Sequence, residues 1–491
     1  MNMKRVKRLL NRIVILPLIF GYCFAADPTQ SLSQIEAQML ALLTQHADQS
    51  MHYKLLNSRL REKNALWEPF QEALENVGEA EYMRLSELIV EKSISELQES
   101  VNSGDLSYEE LVTFYIYRIR KLESDDGRFI NGVIALNPAA IERARQLDEI
   151  QLKSEGRHKN SIFGIPVLLK DNIGFAGIPT TAGAAALIGN HTTNAFITDR
   201  LVEQGAIVLG KANLSEWAYF FCRDCPSGYS AVGGQTLNPY GRLDFGTGGS
   251  SSGSGASIAA NYAAVAVGSE TSGSILSPSS ANSLVGLKPT TGSLSRSGVV
   301  PISSTLDTVG PMGRSVADVV TLFNAMVGFD GEDPAMPRLS EDLRLVIRQA
   351  PTDNGTFGIL TTYADNMQYQ NALRLLSENG FNLQEVDFQN ERHPRFSEFL
   401  GAEMKRDLVS YLQKNASASV EIDSVSTLQE FNLVDLEMRA PYGQALVDLM
   451  VDLNLSEEEL EDLGAELSCL LYTSDAADEG LGVDLGGRRI I

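Results

Sequence analysis

A run of serine and glycine residues is the first feature of this chain whose residue types could do chemistry. It extends over Gly246–Ser257 and continues directly into the small apolar residues of Ile258–Val267, which favours a buried, backbone-rich loop over a flexible linker. A phosphate-binding loop would require the pattern G-x-x-x-x-G-K followed by Ser or Thr, which this sequence does not contain. The serine hydroxyls therefore remain as candidate nucleophiles.

The sequence holds few histidines that could act as the base for such a serine. The pattern G-x-S-x-G surrounds Ser251, but that motif requires a preceding strand and, later in the chain, an acid and a His. The residues before it, Pro239–Phe245, make a poor buried strand, and of the 5 histidines only His393 follows. We therefore expect the base to be another residue type.

Lys170 is the candidate base. It ends the apolar run Val167–Leu169, which as a buried strand would carry the amine into the interior. Desolvation lowers the pKa of a lysine, and a shift from about 10.4 to near 7 costs roughly 4–5 kcal/mol, which burial can impose. The neutral amine would then be a usable base. The alternative is a lysine at a strand end whose amine reaches solvent.

Six motifs in a fixed order resemble those of the amidase signature family, and together they are more specific than one Gly-rich loop. They lie within about residues 93–330 and are Gly164–Asn172, Thr180–Gly183, Gly248–Ser254, Gly268–Ile275, Gly286–Thr290 and Leu306–Met312. Two further segments, Asn213–Trp217 and Gly233–Pro239, most resemble the bacterial peptide amidase branch, whose members remove the C-terminal amide from peptide amides.

The resemblance implies a catalytic unit of two serines and a lysine. Lys170 would be the base, Ser250 after a cis peptide bond with Gly249 the proton relay, and Ser274 the nucleophile that forms an acyl-enzyme. A second implied feature is an oxyanion hole made by the backbone N–H groups of Thr271, Ser272, Gly273 and Ser274. The resemblance implies no metal ion and no cofactor.

Some positions depart from the family pattern. Ser272 and Ser252 stand where most members have Gly, although a hydroxymethyl group leaves the backbone donors intact. Leu276 replaces the Arg that is common in the family, which weakens any prediction of substrate polarity. Ser251 either supports the catalytic network by hydrogen bonding or is a packed loop serine.

The elements that must position these residues form a mixed α/β core. Past residue 131, short apolar runs alternate with Gly and Pro, and Ile165–Leu169, Ile207–Leu209 and Ala263–Val267 are predicted as buried strands. We expect a mixed β-sheet covered by helices, the amidase signature fold. Nearer the C-terminus, residues 356–388 predict a strand, a helix ended by Gly380, and a second strand.

The region before this core is predicted to be helical. Apolar residues recur at helical spacing over residues 31–125, and Ser107 followed by Glu109 and Glu110 is typical of a helix start. We assign residues 26–92 to a helical N-terminal extension and residues 93–468 to the amidase domain.

The N-terminus has the pattern of a cleavable secretory signal, assigned to residues 1–25. Its basic residues precede the apolar run Ile13–Phe20, and small residues follow near Ala25. The run is shorter than the roughly 20 residues of a membrane-spanning helix, so a retained anchor is the less favoured alternative. We expect an exported protein, periplasmic or secreted, without a stable membrane anchor after cleavage.

The C-terminal residues 469–491 look like a translated sequencing-library adapter with filler and are expected to be non-native. The coding sequence would then be cut near Ser468, so that the amidase domain lacks its end. Ser456 and Glu459 form a capping-box pattern and predict the last native helix.

Two cysteines, Cys222 and Cys225, remain between the signal and the tail. A structural zinc site requires four ligands, and no second Cys pair or His cluster accompanies them. A local disulfide in an oxidising compartment is favoured, with two free thiols and a redox role left open.

The charge of the chain limits the kinds of molecule that it is expected to bind. The 491 residues carry a net charge of −23 without a basic stripe, which argues against nucleic-acid binding. The favoured function is an exported amidase that hydrolyses a small amide or a peptide C-terminal amide to carboxylate and ammonia. Within the family the alternative is a general aliphatic or aryl amidase or a fatty-acid amide hydrolase. An inactive binding protein with this fold is the alternative from another class, and the signal and acidity disfavour the family members that act on charged tRNA.

Overall fold

The computed structural model describes residues 32–153, 161–336, 343–347, 355–386 and 393–467. The predicted signal sequence and adapter-derived tail lie outside these residues. Within the described ranges, no helix is long and apolar enough to cross a membrane.

The core is a mixed sheet of six strands in the spatial order β1-β3-β2-β6-β8-β7. In chain order the strands are β1 (Val133–Leu136), β2 (Pro166–Lys170), β3 (Ile207–Ala212), β4 (Tyr229–Ser230), β5 (Gly234–Gln235), β6 (Val265–Glu270), β7 (Val285–Gly286), β8 (Thr308–Gly313), β9 (Thr356–Leu360) and β10 (Asn382–Val386). Strand β2 lies parallel to both β3 and β6, whereas β1 is antiparallel to β3 and β8 is antiparallel to both β6 and the edge strand β7. All three predicted core strands are confirmed, and β2, β3 and β6 are buried throughout, as their uninterrupted apolar runs require.

Helices cover this sheet and extend the chain at both ends. They are α1 (Leu32–Leu43), α2 (Gln71–Glu75), α3 (Glu79–Ile89), α4 (Ile94–Ser103), α5 (Tyr108–Glu123), α6 (Ala140–Lys153), α7 (Phe196–Glu203), α8 (Ser252–Ala259), α9 (Leu276–Ala281), α10 (Val316–Met326), α11 (Met367–Glu378), α12 (Phe396–Asn415), α13 (Val425–Leu433), α14 (Leu436–Arg439), α15 (Ala445–Asp452) and α16 (457–467). Ser107 caps α5 through a capping box, and Ser456 with Glu459 makes the same contacts before α16, as predicted.

The N-terminal extension is less helical than its apolar spacing predicts. Between α1 and α2 the chain forms short 3₁₀ turns and irregular segments. The reason is tertiary: the carbonyl of Leu56 accepts hydrogen bonds from Gln235 N–H and from Asn131 Nδ2, both at 2.8 Å, so this backbone bonds to the core instead of to itself. Ile35 and Met39 of α1 belong to the same apolar cluster as the sheet.

A second apolar cluster lies beside the sheet. Helices α12, α13, α15 and α16 bury Phe399, Met404 and Val447 against residues of the segment 182–225. Of these helices, α12 also lines the cavity that the motif residues Asn172, Ser269 and Thr271 line.

The strand-helix-strand prediction near the C-terminus is confirmed. Strands β9 and β10 pair in parallel and are joined by α11, which begins at Met367. Gly380 follows the helix with φ 84°, a left-handed conformation that favours glycine.

Candidate active site

Lys170 lies at the C-terminal end of β2, in the middle of the sheet, and its side chain is fully buried. Its Nζ is 2.7 Å from Ser250 Oγ, 3.0 Å from the carbonyl oxygen of Ser269 and 2.9 Å from Ser269 Oγ. Burial lowers the pKa of Lys170 to about 7, although the charges of Asp307 and Glu270 oppose this shift. The amine is therefore neutral in a large fraction of molecules near neutral pH.

The contacts of Lys170 allow its lone pair to face Ser250. A neutral amine has two N–H donors and one lone pair, and the Ser269 carbonyl can only accept. Ser269 Oγ accepts a hydrogen bond from Asn172 Nδ2 at 2.9 Å and can accept the second Lys170 N–H. This arrangement leaves the lone pair for the hydroxyl proton of Ser250, which is the geometry a general base requires.

Ser269 is a site residue that the sequence reasoning missed. It lies in β6, one residue before the strand ends, and within the motif Gly268–Ile275, so the motif itself carried the signal. Nothing in its residue type distinguished it from the other serines nearby. Its role depends on the side chain facing Lys170 across paired strands.

Ser250 follows a cis peptide bond with Gly249, the position at which the family resemblance placed one. The residue is fully buried, and its carbonyl accepts a hydrogen bond from the amide of Ser215 at 3.0 Å. Ser250 is therefore held through its backbone carbonyl by Ser215 while its hydroxyl contacts Lys170.

Gly249 has no room for a side chain, so we expect Gly249→Ala to disturb this loop. A Cβ at that position would lie 2.3 Å from Ser227 Oγ and 2.7 Å from Ser215 Oγ. The substitution should cost about 1–3 kcal/mol of unfolding free energy, measured by urea denaturation, and lower the hydrolysis rate at least tenfold. As a control, Gly331→Ala meets its nearest atom at 3.8 Å and should change neither quantity. Unchanged stability and rate in Gly249→Ala would contradict this account.

Ser251 connects the Lys170 site to the loop that holds Ser274. Its amide donates to the carbonyl of Ser274 at 3.1 Å, and its hydroxyl donates to the Ser269 carbonyl at 3.1 Å. Of the two interpretations of Ser251, these bonds favour support of the network.

The second half of the Gly- and Ser-rich run is a helix, not the loop that we predicted. Residues Ser252–Ala259 form α8, which packs across β2, β3, β6 and β8. Tight packing explains the composition: a Cβ on Gly253 would lie 2.4 Å from the backbone of Asn213 and 2.5 Å from the carbonyl of Gly132. The run is buried as expected, but its glycines serve close contact between helix and sheet.

Ser274 lies in the turn between β6 and α9 and is 8% exposed. Glu270 holds this turn by accepting from the amides of Gly273 and Ile275, both at 2.7 Å, and Leu276 at 3.1 Å. The Gly273 amide is thus engaged by a carboxylate, which argues against its predicted part in the oxyanion hole.

The other three predicted oxyanion donors have backbone N–H groups that are available to a ligand. In the described part of the chain, the amides of Thr271, Ser272 and Ser274 make no hydrogen bond to another protein group. The Thr271 side chain donates to Asp307, whose carboxylate also accepts from the amides of Ile302 and Ser303. Their role as oxyanion donors stays a prediction.

Ser250 and Ser274 are brought to adjacent loops, but no hydrogen bond joins their hydroxyls among the described residues. The Ser251 amide, one residue after Ser250, contacts the Ser274 carbonyl, so the loops touch directly. Proton transfer between the serines therefore stays a prediction for the substrate-bound state.

A second buried lysine was also missed. Lys211 Nζ donates to the carbonyl of Ile173 at 2.5 Å and to Thr180 Oγ1 at 2.8 Å, and lies 3.6 Å from Asp171 Oδ1. Burial lowers its pKa to about 8. Because these contacts hold the turn directly after Lys170, Lys211 has a structural role.

Cys222 and Cys225 are joined by a disulfide, with Cα atoms 5.6 Å apart. Ser227, two residues after Cys225, is the residue whose hydroxyl would lie closest to a Cβ on Gly249. In the described ranges, no cluster of three or more His, Cys, Asp or Glu side chains could hold a metal ion.

The chain is similar to known amidases. A family model described as Amidase matches residues 110–454, which include the whole candidate site. The chain belongs to the amidase family.

Curated amidase relatives match over the core of the chain. A probable amidase from Arabidopsis thaliana is 43% identical over 275 residues, 55% of this chain and 53% of that protein. A component of the glutamyl-tRNA(Gln) amidotransferase from Symbiobacterium thermophilum is 41% identical over 232 residues, 47% of this chain and 46% of that protein. The chain thus spans about half the length of these relatives.

Solved amidase structures confirm the predicted fold. An amidase family protein from Bacillus anthracis has a TM-score of 0.75 at 34% identity, covering 83% of this chain and 82% of that one. The peptide amidase from Stenotrophomonas maltophilia has a TM-score of 0.68 at 35% identity, covering 76% and 78%.

Proposed function

We propose that this protein hydrolyses the C-terminal amide of peptides, giving a free carboxylate and ammonia. The observation that carries the proposal is the buried Lys170 amine, whose Nζ lies 2.7 Å from Ser250 Oγ, beside the turn that holds Ser274. Membership of the amidase family supports the reaction type.

The chemistry begins with two linked proton transfers. Lys170 takes the hydroxyl proton of Ser250, Ser250 takes that of Ser274, and Ser274 Oγ attacks the amide carbonyl. The amides of Thr271, Ser272 and Ser274 stabilise the negative oxygen that forms. The proton then returns through Ser250 to the amide nitrogen, the C–N bond breaks and ammonia leaves. Water, activated by the same groups, hydrolyses the acyl-enzyme on Ser274.

Peptide amides are favoured over simple amides because of the likeness to peptide amidase. A general aliphatic, aryl or fatty-acid amidase would use the same residues, so only the substrate panel separates these functions. The similarity to the glutamyl-tRNA(Gln) amidotransferase favours a second candidate, action on charged tRNA. The net charge of −23 opposes that candidate, since tRNA is a polyanion.

Export is part of the proposal. The signal-like residues 1–25 and the Cys222–Cys225 disulfide both fit an oxidising compartment. Expression as a fusion with a reporter active only after export would test it, and a reporter confined to the cytoplasm would contradict it.

The function is tested by ammonia release from a panel of matched amides. We expect a blocked dipeptide amide to be turned over at least tenfold faster, by kcat/KM, than acetamide, benzamide or an N-acylethanolamine. Faster turnover of the simple amides would assign the general amidase instead. No turnover of any amide, together with peptide amide binding, would favour the inactive binding protein.

A further inference from the structure

A cavity of about 490 Å³ opens beside the candidate base. Its wall includes Asn172, Ser269 and Thr271, and Ser269 Oγ lies 2.9 Å from Lys170 Nζ. The side chain of Ser269 therefore separates the cavity from the Lys170 amine. Its volume lies in the range of roughly 300–1,000 Å³ that small-molecule sites occupy.

The cavity wall carries an excess of negative charge. Its carboxylates are Asp199, Asp307, Asp330, Glu332, Asp333 and Asp407, and its cations are Arg296 and Lys414. Asp333 is compensated by Arg296 at 2.6 Å, and Asp407 by Arg406 at 2.8 Å. The other four carboxylates form no ion pair with any residue that the structure describes.

The two rim carboxylates are open to a ligand. Asp199 at the start of α7 and Glu332 are both exposed. Asp199 Oδ1 accepts a hydrogen bond from Asn194 Nδ2 at 2.7 Å, whereas the Glu332 side chain makes no hydrogen bond within the described residues. Field lines from like charges concentrate in a cleft with low-dielectric walls, so this rim attracts cations.

Asn172 supplies a separate observation. Its side chain is only 2% exposed, and its Oδ1 has no hydrogen-bond partner in the described part of the chain. Its Nδ2 donates to Ser269 Oγ, so the oxygen is an unused acceptor of a residue that lines the cavity. A buried acceptor of this kind is normally paired with an N–H or O–H donor, and an ammonium or guanidinium group supplies N–H donors.

We propose that the cavity binds a positively charged group of the substrate, an ammonium or guanidinium on a side chain close to the scissile amide. Asp199 and Glu332 attract the charge, and Asn172 Oδ1 accepts an N–H from it. The inference rests on the proposed function and narrows it to basic peptide amides. Since the rim is exposed to solvent, the effect should be moderate and salt-dependent.

The test compares blocked dipeptide amides ending in lysine amide and in norleucine amide, which have similar length and differ in charge. We expect kcat/KM to be about tenfold higher for the lysine amide at low salt, with the ratio falling at 0.5 M NaCl. In Glu332→Gln and Asp199→Asn the lysine-to-norleucine ratio should fall two- to fivefold. Glu203→Gln removes an exposed acid from the same helix, off the cavity, and should leave both rates unchanged.

Binding separates failure of this inference from failure of the proposed function. Calorimetry on the product acids should show tighter binding of the lysine than the norleucine peptide. Equal rates and equal affinities would overturn the inference while the hydrolase function stands. Absence of turnover of both amides would remove the proposed function, and tighter lysine binding would still support the cationic site.

Discussion

Replacing Lys170 by Met is expected to lower kcat/KM by at least about 10³-fold while keeping the length of the side chain. The amine is the acceptor of the Ser250 proton, and among the described residues no other base lies against that hydroxyl. In the unmodified enzyme the rate should rise with pH through about 7, because only the neutral amine accepts a proton. The pH profile of kcat/KM measures both effects.

The same substitution should stabilise the folded protein at neutral pH. Because burial lowers the pKa of Lys170 from 10.5 to about 7, the folded state binds fewer protons than the unfolded state between those values. The resulting cost, roughly 4–5 kcal/mol, is complete below pH 7, shrinks as the pH rises and vanishes above 10.5. Lost hydrogen bonds to Ser250 and Ser269 offset part of the gain, so we expect about 1–3 kcal/mol at pH 6.

Urea denaturation at pH 6 and pH 9.5 measures this gain, which should be smaller at the higher pH. Lys414→Met, which removes an exposed lysine, should show no such pH-dependent stabilisation. Retained turnover in Lys170→Met would contradict the assignment of the base. A gain in stability that grows with pH would contradict the buried neutral amine.

Ser274→Ala and Ser250→Ala are expected to lose activity by different routes. Removing the nucleophile should reduce kcat by about 10⁴-fold or more and abolish covalent labelling by a fluorophosphonate. Removing the relay should lower the rate by a comparable factor but leave Ser274 in place, so that slow labelling at Ser274 persists. Mass spectrometry of the labelled peptide distinguishes the two variants.

Ser280→Ala is the matched control, since Ser280 is exposed on α9, the helix that follows the nucleophile turn. It should retain full rate and full labelling. Two results would contradict the assigned roles. One is label found on Ser250, and the other is more than about one hundredth of the activity remaining in Ser274→Ala.

The strands of the core could be predicted because their signal is local. β2, β3 and β6 are buried on both faces, so each appears as an unbroken apolar run. The start of α5 at Ser107 could be predicted for the same reason, because a capping box involves residues only three positions apart. By contrast, the Gly- and Ser-rich run has weak helical propensity, and only its packing on the sheet makes Ser252–Ala259 helical.

The sequence by itself determined which residue types were available: a lysine at the end of an apolar run, serines within ordered motifs, and too few histidines for a His-based site. Tertiary structure alone decided their chemical state. The neutral form of Lys170 comes from desolvation by neighbouring strands and loops, and its hydrogen-bond partners Ser250 and Ser269 lie 80 and 99 positions away in the chain. The acidic cavity joins Asp199 and Glu332, whose charges act together only because the fold places them on one wall. Burial and long-range contact are properties of the folded chain, and local sequence patterns do not encode them.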